Sequence, residues 1–149
     1  MAHSLLIGCS KVGMDVAVGC PEGYMPEEEI VSQAQANAQA EGSRVLITSS
    51  PQEAVEQADV VYADVWASMG QEAEQKKREK IFPPYQVNKA LFSLAKPGAI
   101  FLHCLPAHRG EEVTSDVIDS DASVIFDEAE NRLHAQKAVM ALLMGEASK

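Results

Sequence analysis

The stretch Ala99-Ile100-Phe101-Leu102-His103-Cys104-Leu105-Pro106 decides how the rest of the chain reads. Its apolar half follows a Pro97-Gly98 turn and reads as a short buried strand. Pro106 has no N–H to give a sheet ladder, so the strand stops before it and the chain turns out into a loop. His103 and Cys104 then stand at the carboxyl end of a strand, the edge at which open α/β sheets bind ligands. Taken alone, Cys104 reads as readily as a small buried core thiol.

Outward from that strand, the pattern alternates. Residues 2–12 carry Leu5, Leu6, Cys9 and Val12 at helical spacing, and Gly13 suits a helix end. Residues 14–20 alternate and are rich in Val, as a strand requires. Residues 26–42 predict a helix, with Pro26 in the first turn, Glu27, Glu28 and Glu29 at the positive end of its dipole, and Gly42 after the last turn. Residues 44–48 predict a strand, and Ser50 with Glu53 forms a capping-box pattern for a short helix ending near Ala58. Residues 59–65 predict a strand that delivers Asp64 and Trp66 to its carboxyl end. Residues 68–80 read as a polar, mobile loop without an apolar stripe. A helix over 85–95, a short helix over 115–118, a last strand over 124–126 and a closing helix over 129–144 complete the pattern. Strands alternating with helices predict an α/β fold, a doubly wound, Rossmann-like parallel sheet with helices on both faces.

Composition bounds the function. The chain has 149 residues, 46% hydrophobic and 23% charged, which suits one domain with a real core. A net charge of −10 disfavours nucleic acid and anionic membranes as partners. No apolar run is long enough to span a bilayer. Cys9, Cys20 and Cys104 show neither paired nor zinc-type spacing, so no metal is expected, and reduced thiols suit the cytoplasm. Gly8 and Gly13 fall in or just after a helix rather than in a strand-to-helix turn, so no dinucleotide cofactor is expected.

Three clusters fall at comparable places after strands: Asp64 and Trp66 with Ser68-Met69-Gly70, then His103-Cys104-Leu105-Pro106, then Glu128, Asn131 and Arg132. Convergence at one edge is what a substrate pocket needs. Each cluster also has a plain reading: Asp64 as a turn residue, Met69 as core, Arg132 as a solvated helix face. Together, Asp64-Val65-Trp66-Ala67-Ser68-Met69-Gly70, His103-Cys104-Leu105-Pro106 and Phe126-Asp127-Glu128-Ala129-Glu130-Asn131-Arg132 resemble the signatures of ornithine carbamoyltransferases, and the resemblance runs over residues 1–149.

That resemblance implies transfer of a carbamoyl group from carbamoyl phosphate to the δ-amine of L-ornithine, giving citrulline and phosphate, a step of arginine biosynthesis. It implies catalytic roles for Asp64 and Cys104, which would orient the amine without a covalent acyl-enzyme. Asp64, Ser68 and Met69 would contact ornithine, while Cys104, Leu105 and Arg132 would line the carbamoyl phosphate side, with His103 and Arg109 as further candidate cations. The loop carrying Ser68 to Gly70 would close over substrate and exclude water. The phosphate loop and the paired asparagines of the family are not found. The chain is therefore expected to be the ornithine-binding half, lacking the domain's opening central strand and partnered by an amino-terminal carbamoyl-phosphate domain. Family members form trimers, and a homotrimer is implied for the whole protein. A catalytically inactive fragment that binds only ornithine or a complementing chain is the competing expectation.

Overall fold

The computed structural model describes residues 1–67 and 72–145. Two pairs of parallel strands carry the fold. β1 (Val16–Gly19) pairs with β2 (Val45–Thr48), Val16 opposite Val45. β3 (Val60–Ala63) pairs with β4 (Ile100–His103), bringing Ala63 opposite His103. The ends of β3 and β4 thus finish side by side, and the residues that follow them, Asp64 and Cys104, leave the sheet together.

Helices pack against the strands, as the α/β pattern predicts. α1 (Ala2–Lys11) and α3 (Pro51–Val55) lie on β1, α2 (Glu28–Glu41) on β2, and the closing helix α7 (Ile125–Met144) on β4. The small residues Ala34 and Ala38 let α2 approach α1 over the fully buried Leu6. Gly42 ends α2 in the left-handed region, at φ 74°, where a side chain would be strained. The main core gathers around Phe101, with Val61, Leu91, Val113, Val117, Ile118 and Ile125, and Phe92 meets Phe101 edge-on at 6.4 Å. Burying large side chains of this kind is the chief stabilising contribution, roughly 1.5–3 kcal/mol each.

The sheet departs from one continuous layer. Among the described residues the two strand pairs are not hydrogen-bonded to each other.

Four local expectations are corrected. The segment read as a loop over 68–80 is helical from its second third: α4 spans Glu72–Ile81. Its residues are strong helix formers, and Glu74 pairs with Arg78 one turn on at 2.9 Å. The helix read over 85–95 is broken into a 3-10 turn, Pro83–Tyr85, and a short α5, Lys89–Phe92. Val87 is pulled out of it to bond Glu112 and Thr114, and the Asn88 side chain caps α5 by accepting from the Leu91 N–H. The strand read over 124–126 shrinks to one bridge, Ser123 with Phe101, because α7 begins at Ile125. The capping box at α3 is half as read. Ser50 accepts from the Glu53 N–H, but the Ser50 N–H donates to Thr48 Oγ1, which in turn bonds Glu53. The short helix α6 (Ser115–Ile118) falls where the sequence placed it.

Candidate functional site

Two parallel strands with ends in register dictate the centre of the site. Asp64 follows β3 and Cys104 follows β4, and the Cys104 thiol donates to Asp64 Oδ1 at 3.1 Å. The same oxygen accepts from the Val65 N–H at 2.8 Å, which fixes the carboxylate at the strand end. Its other oxygen lies 3.9 Å from the Met1 backbone nitrogen. Burial pushes the Cys104 thiol up to about 11, helped by the bond to and the charge of Asp64. At neutral pH Cys104 is therefore a protonated hydrogen-bond donor, not a thiolate nucleophile.

His103 lies beneath this pair and is almost wholly buried. Its Nδ1 accepts from the Leu105 N–H at 2.9 Å, so its proton is on Nε2, which donates to Glu112 Oε1 at 3.1 Å. Glu112 Oε1 also takes the His108 N–H at 2.6 Å. Burial works to raise the Glu112 carboxyl, but the bonds from His103 and His108 outweigh it and hold it below its ordinary value. The result is a brace that fixes the path from His103 to His108. Leu105, held inside it, adopts a left-handed φ of 54°, a conformation costly for a non-glycine residue and kept by its surroundings. His103 is thus a structural member of the site and not a cation facing substrate. Arg109, the other expected candidate, is committed to Asp119 through two guanidinium bonds of 3.0 and 2.6 Å.

Arg132 lines an open groove of about 710 Å³ together with Cys104, Leu105 and Pro106 on one wall and Leu133, Gln136 and Lys137 on the other. It makes no hydrogen bond to another described residue. Lys137, missed in the sequence, adds a second cation to the wall. The signal was present in its spacing of one helical turn from Leu133, but nothing in the sequence showed which face of α7 met the loop. Asn131 turns back to bond the Asp127 carbonyl on its own helix at 2.8 Å. Ser68 and Met69 lie outside the described residues. Trp66 is buried against Phe82 and serves as an anchor rather than a pocket wall.

Glu112 and Tyr62 are the other residues that the sequence reading missed. Tyr62 is on β3 with a buried hydroxyl that has no hydrogen-bond partner among the described residues. Burial raises it strongly, and the neighbouring Glu128 and Cys104 add to this. His108, Glu111 and Glu112 each offer one ligand atom within 4.8 Å of the others, the one such cluster among the described residues. Its most buried member, Glu112, already serves His103 through Oε1.

In chemical terms, the groove offers the Cys104 thiol, itself bonded to the Asp64 carboxylate, at one end and the cations Arg132 and Lys137 on its helical wall. The profile of the aspartate/ornithine carbamoyltransferase Asp/Orn binding domain matches residues 1–143. The chain is 61% identical over 145 residues to an ornithine carbamoyltransferase of Pyrococcus abyssi, and 60% to the anabolic ornithine carbamoyltransferase of Pyrococcus furiosus. In both cases 97% of this chain is covered, and 46% of the relative. The solved structure of the ornithine carbamoyltransferase from Pyrococcus furiosus superposes with a TM-score of 0.93 at 59% identity, over 99% of this chain and 47% of that one. That of Gloeobacter violaceus gives 0.89 at 50% identity, over 97% and 48%. The chain spans a little under half the length of these relatives. No helix among the described residues is long and apolar enough to cross a membrane.

Proposed function

The chain belongs to the aspartate/ornithine carbamoyltransferase family, as its Asp/Orn-binding domain, and from that premise we propose that it supplies the ornithine-binding half of an enzyme making citrulline from L-ornithine and carbamoyl phosphate. The observation that carries this reading is the Cys104–Asp64 pair at the shared end of β3 and β4, 3.1 Å apart, opening on a groove that holds Arg132.

Ornithine brings a δ-ammonium with an ordinary pKa near that of lysine, about 10.4. Only its neutral form attacks a carbonyl. Ornithine gives its ammonium proton to bulk water before the site closes, the neutral amine donates a hydrogen bond to the Asp64 carboxylate, and exclusion of water keeps it from being protonated again. Cys104, already protonated, cannot take that proton. Its role is to hold Asp64 and orient the nitrogen lone pair toward the carbamoyl carbon. Arg132 and the Leu105 segment of the loop face the carbamoyl phosphate, where a guanidinium stabilises negative charge developing on the carbonyl oxygen. Ser68 and Met69 are assigned to the ornithine side on resemblance alone. The remainder of the phosphate clamp is assigned to an amino-terminal domain, the whole forming a homotrimer in the cytoplasm.

Calorimetric titration of this chain combined with a carbamoyl-phosphate-binding half tests the substrate assignment. L-Ornithine should bind in the presence of carbamoyl phosphate, with N-acetyl-L-ornithine and L-aspartate at least about tenfold weaker, the scale of one misplaced polar contact. Preference for either competitor would replace ornithine as the substrate.

A further inference from the structure

We infer that Glu128 is a positioning residue: its carboxylate completes the open edge of β4 and sets the first turn of α7 so that Arg132 faces Cys104. The inference rests on the carbamoyltransferase reading for its consequence in turnover, and on the backbone geometry alone for its physical basis.

The edge of β4 turned away from β3 starts as an ordinary parallel ladder. The Phe101 N–H donates to the Ala122 carbonyl at 2.8 Å, and the Val124 N–H donates to the Phe101 carbonyl at 3.0 Å. Rungs on one edge recur every second residue, so the next donor is the His103 N–H and its natural acceptor is the Val124 carbonyl. That carbonyl is already taken. It accepts the Glu128 N–H at 3.0 Å as a first-turn bond of α7. The chain has left the sheet after one bridge, and a side chain takes the place of the strand: Glu128 Oε2 accepts the His103 N–H at 2.9 Å.

The consequence is a fixed register between two parts of the site. His103 immediately precedes Cys104. Arg132 follows Glu128 by one helical turn and so shares its face of α7. One hydrogen bond therefore ties the backbone that carries the thiol to the helix that carries the guanidinium, and the two line the same groove. Tyr62, whose buried hydroxyl has Glu128 and Cys104 as neighbours, closes the space between them. Negative charge at this place is compatible with α7, whose first turn carries Asp127 and Glu128 at the positive end of the dipole.

The test uses Glu128→Gln and Glu128→Ala. A glutamine keeps an acceptor oxygen, an alanine does not. In the uncomplemented chain, the His103 amide should be protected from hydrogen exchange in the wild type and in Glu128→Gln, and exchange at least about tenfold faster in Glu128→Ala. In the complemented enzyme, Glu128→Ala should raise the KM for carbamoyl phosphate by about tenfold or more while ornithine affinity changes little, and Glu128→Gln should restore it to within about twofold. A purely stabilising role would lower the amount of active protein without splitting the two substrates. Wild-type kinetics in Glu128→Ala, or an unprotected His103 amide in the wild type, would overturn the inference. A complemented wild type that makes no citrulline would instead sink the carbamoyltransferase reading, with the amide measurement still deciding the role of Glu128.

Discussion

In the proposed reaction Cys104 and Asp64 carry the chemistry through a single contact, and each tests it. Cys104→Ala in a complemented enzyme should reduce kcat about 100-fold or more, the scale of a lost positioning group, with the fold intact. Because the thiol is pushed up to about 11, chiefly by burial and then by Asp64, its alkylation rate should still climb about tenfold per pH unit up to pH 10, followed by mass spectrometry of the peptide containing it. A rate that levels off by about pH 10, as an ordinary thiol's does, would contradict the buried, Asp64-bonded thiol. Glu112 offers a second test. Its native pKa lies below the ordinary 4.5, so its stabilising contribution is present above that pH and is lost as pH falls through the native value. Glu112→Gln should therefore cost about 1–3 kcal/mol near neutrality, and the gap to wild type should narrow as pH falls below the ordinary carboxylate range. A gap independent of pH in thermal melts would remove the charge from the brace. That Asp64 and Cys104 follow strands and Arg132 lies on a helix was legible, because strand ends and helices are written locally. Glu112 was not, since Glu111 and Glu112 are chemically identical neighbours. The path of the loop, pinned by the Val87 N–H on the Glu112 carbonyl at 2.8 Å, helps decide which of them is buried.

Among elements, α4 shows what a stripe-based reading misses. A helix with no apolar face can still be held by a few specific contacts. Arg78 donates to the Trp66 carbonyl at 2.7 Å, pairs with Glu74, and lies over the Tyr24 ring with its guanidinium carbon 5.3 Å from the centroid. Phe82 joins Tyr24 edge-on at 5.0 Å and Trp66 at 6.2 Å. Arg78→Ala should lower the melting temperature by several degrees, taking about 1–2 kcal/mol for the three lost contacts and roughly 2–4 °C for each kcal/mol. Arg78→Lys should recover only part of this, since an ammonium cannot bond Trp66 and Glu74 and stack on Tyr24 together. An unchanged melting temperature would mean that the aromatic contacts alone hold the helix. The shortened α5 and the single bridge at Ser123 have the same lesson. Propensity favoured a longer helix and a last strand, but the backbone groups of Val87 and Phe101 needed partners from distant segments, and those long-range bonds prevailed.

For the whole molecule, the alternation of strands and helices gave the architecture without ambiguity, while the separation of β1–β2 from β3–β4 was anticipated only through the resemblance. The relatives are about twice as long as this chain, and its groove offers Arg132 and Lys137 as cations in a chain of net charge −10. Carbamoyl phosphate carries about two negative charges, and a substrate not held in place forfeits roughly 7–11 kcal/mol of positioning. Citrulline formation by the purified 149 residues, assayed with and without a separately expressed carbamoyl-phosphate-binding half, therefore bears on every part of the reading at once. Turnover should be undetectable for the chain alone, appear on complementation, and vanish again in Asp64→Ala. Robust turnover by the chain alone, or full activity of the complemented Asp64→Ala enzyme, would contradict it.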